Sequence, residues 1–212
     1  MPKYKKSGSV QFLGDISKTF HLPRNFYCPP TDLFNILEKR KSRHKFNAME
    51  LQDISTLLWF AQRKTASFSD PNRLKLPYPT AGALASVKTI VLRPDEEAWV
   101  YDIEGHKAEV LPASLDLCKN IRASANEFFT IDKGILLLFV VDRSFISQYY
   151  QTPDTLVLRE AGVLLGTLGL LAEAFQLAYC PLGTTAEEWL INLLDTRKEL
   201  IISVGAAVVG RR

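Results

Sequence analysis

Apolar positions along this chain follow two periods, and each switch between them marks a predicted element. Helical spacing predicts helices over residues 31–39 and from 48 or 49 to 62, followed by an irregular run rich in Ser, Asn, Asp and Pro over 64–79. Residues 87–93 and 98–103 read as strands. The alternation Trp99-Val100-Tyr101-Asp102-Ile103 fits a half-exposed hairpin strand, with Glu104-Gly105-His106 as the turn and 107–111 returning. Residues 115–129 predict a helix with Leu117, Ile121 and Ala125 inward. The unbroken apolar run 134–141 predicts a central strand covered on both faces. Residues 155–179 predict the longest helix, apolar almost all round and so expected in the middle of the molecule, and 200–209 the last strand. Helices packed on a mostly antiparallel sheet make an α+β domain.

Composition narrows this to one domain. A chain of 212 residues with 47% apolar and 23% charged residues can build a single good-sized core. Residues 1–30 read as an N-terminal extension and 31–212 as the domain. The net charge of +3 comes from cations clustered at 3–6 and 39–45 rather than along one helix face, so no nucleic-acid partner is expected. Cys28, Cys118 and Cys180 form no CxxC pair and there are three histidines, which argues against a structural metal and for a reducing, cytoplasmic setting. Residues 1–6 are charged with no apolar run behind them, so they are not expected to be a signal peptide. The apolar stretch 161–171 falls short of the about 20 residues a bilayer needs, and no membrane association is expected.

Candidate chemistry lies in four segments. Pro79-Thr80-Ala81-Gly82-Ala83-Leu84 is a loop of small residues between a helix and a strand, where backbone can approach a flat ligand; alone, it better fits an ordinary helix-to-strand turn. Arg40-Lys41-Ser42-Arg43-His44-Lys45-Phe46 sets four cations around one serine, which suits an anion but also a solvated basic turn. Pro181-Leu182-Gly183-Thr184-Thr185 follows the long apolar helix, and Gly183 alone fits a helix C-terminal turn. The last strand ends in Arg211 and Arg212. Elsewhere, Glu160 reads as a helix-entrance residue paired with Arg159 or an incoming backbone N–H. His106 reads as a hairpin-turn residue, His21 as part of an exposed tail, Trp59 as core and Cys180 as inert packing.

Taken in order, these segments resemble the flavin-dependent nitroreductase superfamily, in particular its SagB-type or McbC-like dehydrogenases of peptide natural-product maturation. The resemblance spans roughly residues 33–210. Its most specific strings are Leu57-Leu58-Trp59-Phe60-Ala61-Gln62, Pro79-Thr80-Ala81-Gly82-Ala83-Leu84 and Glu160-Ala161-Gly162. It implies a nitroreductase-like α+β fold, FMN as cofactor and a homodimer with FMN at the subunit interface. Arg40 and Ser42 then align with the family's R-x-S-x-[KR] phosphate motif. His44 stands where the motif has Lys or Arg, with Arg43 or Arg211 as other sources of charge. Pro79, Thr80, Ala81 and Gly82 would lie against the flavin edge, and Leu182, Gly183 and Thr184 would offer backbone N–H groups from the other side.

The implied reaction is hydride transfer between flavin and a biosynthetic intermediate, with azoline oxidation in a modified peptide as the branch's own chemistry. That branch uses a Lys-Tyr pair upstream of Glu-Ala-Gly. Here the position reads Gln148-Tyr149-Tyr150, which leaves Tyr149 and Tyr150 as the candidate catalytic residues. A glutamine is no base, and a phenol titrating near 10 is a poor one at neutral pH. Leu84-Ala85-Ser86-Val87 also departs from the branch's Tyr/His-Pro-x-Glu. These departures motivate a second reading, a flavin-less scaffold or binding subunit that keeps the fold.

Overall fold

A computed structural model describes residues 13–131 and 133–212; the basic cluster at 3–6 lies outside them. The elements in order are β1 (Lys18–His21), α1 (Leu33–Lys39), α2 (Leu51–Gln62), β2 (Ala66–Ser67), β3 (Leu74–Lys75), β4 (Lys88–Leu92), β5 (Trp99–Asp102) and β6 (Lys107–Val110). They continue with α3 (Leu115–Phe128), β7 (Ile135–Asp142), α4 (Arg143–Ile146), α5 (Asp154–Ala174), β8 (Leu177–Pro181), α6 (Glu187–Leu194) and β9 (Ile201–Arg211). Seven strands form one antiparallel sheet in the order β1-β6-β5-β4-β7-β9-β8, while β2 and β3 pair apart from it. The expected α+β class is what the chain adopts.

Strand β7 shows why the sheet sits in the middle. All eight of its residues are buried. Ile135, Leu137, Phe139 and Val141 face one layer with Leu57 and Leu58 of α2 and Leu164 and Leu168 of α5. Leu136, Leu138 and Val140 face the other, with Ile121 and Ala125 of α3 and Leu190 of α6. An apolar run without alternation therefore marks a strand covered on both sides, as expected.

Three expectations are corrected. The long helix does not run to residue 179: it stops at Ala174, Gln176 takes a left-handed φ of 56°, and the next five residues become β8 against β9. The Pro181–Thr185 segment therefore follows a strand, and Gly183 caps no helix. Nor is α5 buried all round. At 21 residues it is long and apolar enough to cross a bilayer by length and composition. Its inner face packs on the sheet, while Leu158, Gly162, Val163 and Gly166 face outward. The stretch read as an N-terminal extension contributes the edge strand β1 to the same sheet.

His106 departs from its expected setting as well. It occupies the β5–β6 turn as expected, with φ 49°, but its ring is fully buried. Ser55 Oγ donates to the Pro23 carbonyl at 2.5 Å, so it accepts from His106 Nε2–H at 2.9 Å. His106 Nδ1 is then left to accept from the Tyr101 hydroxyl at 2.9 Å. The network needs a neutral ring, and burial lowers the imidazole pKa accordingly. The unfolded histidine takes its proton near 6.5, so this stability is present above that pH and is lost as pH falls below it. Urea unfolding near pH 7.5 and near pH 5 should show wild type losing more stability than His106→Gln, because the other titrating groups are common to both chains. Equal losses in the two proteins would remove His106 from the account.

Candidate functional site

The candidate site is assembled around α5. Glu160 lies on its inner face, 4% exposed, two turns into the helix rather than at its entrance. One carboxylate oxygen accepts from the Ala81 backbone N–H at 2.9 Å, and the other from the Ser86 hydroxyl at 3.2 Å and the Val87 N–H at 3.4 Å. The expected incoming backbone N–H is therefore there, and Arg159 is not the partner: its Nε donates to the Thr155 carbonyl. Burial raises the Glu160 pKa, and the bonds from Ala81, Val87 and Ser86 oppose that rise.

The loop that Glu160 holds is strained. Gly82, Ala83 and Ala85 have φ of 57°, 61° and 47°, a left-handed conformation that costs a non-glycine residue about 1–2 kcal/mol. Arg73 donates to the Gly82 carbonyl at 2.9 Å, and Lys88 Nζ to the Ala85 carbonyl at 3.3 Å. Lys88 is itself buried, which lowers its pKa to about 8 despite Asp102 and Glu160 nearby. Pro79 and Gly82 are exposed, Thr80 and Ala81 half-buried. Tyr150 closes over this loop, since a Cβ built on Gly82 would lie 2.8 Å from its hydroxyl. Tyr149 packs on Phe145 instead, with ring centroids 5.5 Å apart. Gln148 is exposed and bonds the Ser144 carbonyl.

The basic segment lies on the opposite flank of the buried face of α5. The Arg40 Cδ is 3.8 Å from where a Cβ on Gly169 would sit, nine residues beyond Glu160 and so about 14 Å along the helix. Arg43 N–H donates to the Tyr179 carbonyl, which lays this segment beside β8. Arg40 is exposed and its guanidinium has no ion-pair partner among the described residues. Arg43 is engaged: with Arg212 it grips Glu173, at 3.1 and 2.7 Å. Burial alone would raise the Glu173 pKa, but the two guanidinium groups outweigh it and hold the carboxyl below its usual range. Arg211 is bound by Asp53 at 2.7 Å.

Cys180 is more than filler, because two motif residues converge on it. His44 Nδ1 lies 3.7 Å from its sulfur, and the Ser42 hydroxyl hydrogen-bonds it. Burial still pushes the thiol pKa up, so it is not an activated nucleophile. Leu182 spends its N–H on the Ala206 carbonyl, and Thr184 Oγ1 accepts from Ala186 N–H. Gly183 is exposed with open space beyond its Cα. Trp59, half-buried rather than core, stacks on Phe26 at 4.8 Å.

These placements bear on FMN. Arg40 offers an unspent guanidinium beside Ser42, while Gly82, Ala83 and Gly183 leave backbone free of bulk, so this donor set suits a phosphate at one end and a flat ring at the other. Ser42, His44, Arg211 and the Leu182 N–H already have partners within the chain, Ser42 through Cys180. What sequence reasoning missed is which segment Glu160 holds, Lys88 as a buried amine and Tyr150 against Gly82. A lone carboxylate in an apolar helix run signalled a partner without saying which.

Gly82→Ala places a methyl both in the left-handed region and against Tyr150, and should cost about 1–2 kcal/mol in urea unfolding. Adding Tyr150→Phe should recover part of that loss, since the hydroxyl is the clashing atom. A harmless Gly82→Ala, or no recovery in the double variant, would show that Tyr150 does not lie there.

Comparison with known proteins agrees with the fold. A structure from Ralstonia eutropha JMP134 assigned to the nitroreductases superposes with a TM-score of 0.72 at 18% identity, covering 93% of this chain and 91% of that one. The Escherichia coli microcin synthetase McbBCD complex, with truncated pro-MccB17 bound, contains a chain that superposes with a TM-score of 0.64 at 14% identity, covering 83% and 72%. A nitroreductase from Desulfovibrio desulfuricans in complex with FMN gives 0.56 at 15%, covering 86% and 87%. Such identities establish fold rather than activity. No curated protein matches the chain. The Nitroreductase family profile matches residues 37–211, nearly the whole sheet with α2 to α6, and the chain belongs to that family.

Proposed function

We propose that the protein is an FMN-dependent oxidoreductase that transfers hydride between its flavin and a biosynthetic intermediate, in the manner of the SagB-type or McbC-like dehydrogenases. Members of the family typically bind flavin. The observation that carries the reading is the strained loop at Gly82, fixed by a buried carboxylate with Tyr150 above it, on the same helix that positions Arg40. Bound FMN would supply the two-electron acceptor or donor. Arg40 and Ser42 would hold its phosphate, and residues 79–82 would form one wall of the ring site. The Tyr150 hydroxyl would orient the substrate or pass it a proton. With Gln148 in place of a lysine, the chain has no strong base there, so the favoured substrates are those whose oxidation or reduction needs little help from one. A biosynthetic complex with a peptide is supported by the quoted sequence strings and by the likeness to the microcin synthetase chain, while Gln148 counts against azoline oxidation in its usual form.

Two features support a homodimer. Helix α1 buries none of its residues and exposes Leu33, Phe34 and Leu37. The outer face of α5 exposes Leu158 and Val163 beside two glycines with open space. Soluble proteins seldom leave so much apolar surface uncovered. The flavin-less reading is favoured by a different observation: His44, Arg211 and the Leu182 N–H, all assigned to the cofactor, already bond within the chain. Colour separates the two readings, and a cytoplasmic protein is expected in either.

Flavin released from the purified protein by heat should run as FMN on chromatography; FAD, or no flavin after reconstitution, sinks the proposal. Arg40→Ala should weaken retention by about 1.5–3 kcal/mol, and unchanged occupancy at limiting FMN would clear Arg40. Light scattering should give a dimer, and a monomer that still holds FMN would overturn the shared pocket. Tyr150→Phe should lower turnover while FMN stays bound, with Tyr149→Phe the milder variant. Full turnover in both would place the chemistry elsewhere.

A further inference from the structure

On the other face of the sheet, the C-terminal end of α3 and the start of α6 enclose a cleft of about 390 Å³. That is the size of a small-molecule site. Its apolar walls are Phe128, Phe129 and Trp189. Phe129 and Trp189 meet edge to face at 6.4 Å and 86°, and the indole N–H donates to Ser124 Oγ at 3.3 Å, which fixes the ring. Phe128 is 74% exposed at the rim, an aromatic side chain with no folding reason to face water.

The charge in this cleft is negative. Glu187 and Glu188 occupy the first turn of α6 and answer its N-terminal dipole, while Thr184 Oγ1 takes the Ala186 N–H, so the helix end is no anion site. Glu187 is neutralised by Lys198 at 3.0 Å. Glu188 is exposed and has no ion-pair partner among the described residues. Aromatic faces beside an unmatched carboxylate select a cation carried on an apolar body.

We propose that this cleft is a binding site of its own for an organic cation that carries a ring and a protonated amine, separate from the Gly82–Tyr150 region on the other face of the sheet. The match is a compact amine or a basic residue of a peptide, held with its ring among Phe128, Phe129 and Trp189 and its ammonium at Glu188.

The test is a charge series on one ring: 2-phenylethylamine, 2-phenylethanol and 3-phenylpropionate, titrated into the purified protein with whatever flavin it carries. Tryptophan fluorescence and calorimetry report binding. Of Trp59, Trp99 and Trp189, only the last lines the cleft. The amine should bind roughly fivefold tighter than the alcohol, and the carboxylate most weakly. Glu188→Gln should erase the preference for amine over alcohol, and Phe128→Ala should weaken all three probes. Trp189→Phe should remove the fluorescence response while calorimetry still detects binding. No probe binding, a preference for the carboxylate, or a Phe128→Ala variant that alters only the dimer equilibrium would overturn the inference, the last by showing that a second copy covers this face. Flavin content is read separately. A fully loaded protein that ignores the probes sinks the cleft alone, and probe binding by a protein that cannot be loaded sinks the oxidoreductase reading alone.

Discussion

One buried carboxylate organises this molecule. Glu160 reaches from α5 to the 81–87 segment and takes two backbone N–H groups and a hydroxyl. Each bond to a charged acceptor is worth about 1.5–3 kcal/mol. Together they outweigh the about 1–2 kcal/mol that each left-handed alanine costs. Desolvating the carboxylate still costs several kcal/mol, so Glu160 contributes less to net stability than to choice of conformation.

Helix α5 thereby serves as a spine. Its inner face holds the sheet and the strained loop, its far flank carries Arg40 beside Gly169, and its outer face stays apolar and uncovered. Glu173, near its end, gathers Arg43 and Arg212 and so fixes the basic segment against the chain terminus. Of the arginines at this end, Arg40 has no ion pair among the described residues, while Arg43, Arg211 and Arg212 spend their charge on carboxylates. That division is why Arg40 is the arginine proposed for the phosphate.

Much of the fold was legible because its signals are local. The unbroken apolar run around Leu136 to Val140 signalled a covered strand, and the segment around the 104–106 turn gave a hairpin, although its strand β5 is covered on both faces at Trp99, Val100 and Tyr101 rather than half-exposed as expected. Strand β8 was not legible: no Gly or Pro separates its start from the apolar helix, and the break is a left-handed glutamine just before it pairs with β9. Helix α6 was hidden for a similar reason, since the left-handed Ala186 gives no capping signal in the sequence. At the site, the loop of small residues and the basic segment were both found from composition. The couplings between them were not, because Glu160 to Ala81 spans 79 positions and Cys180 to His44 spans 136. Contacts that distant leave no periodic trace.

The most direct test of the central claim is amide hydrogen exchange at Ala81 and Val87 in wild type, Glu160→Gln and Glu160→Ala, with the amides of β7 as an internal standard. Loss of the carboxylate should speed exchange at both positions by roughly 30-fold or more in the alanine variant, less in the glutamine variant, while β7 keeps its protection. Unchanged protection at Ala81 and Val87 in a folded Glu160→Ala protein would contradict the account, because the loop would then hold its shape without the carboxylate.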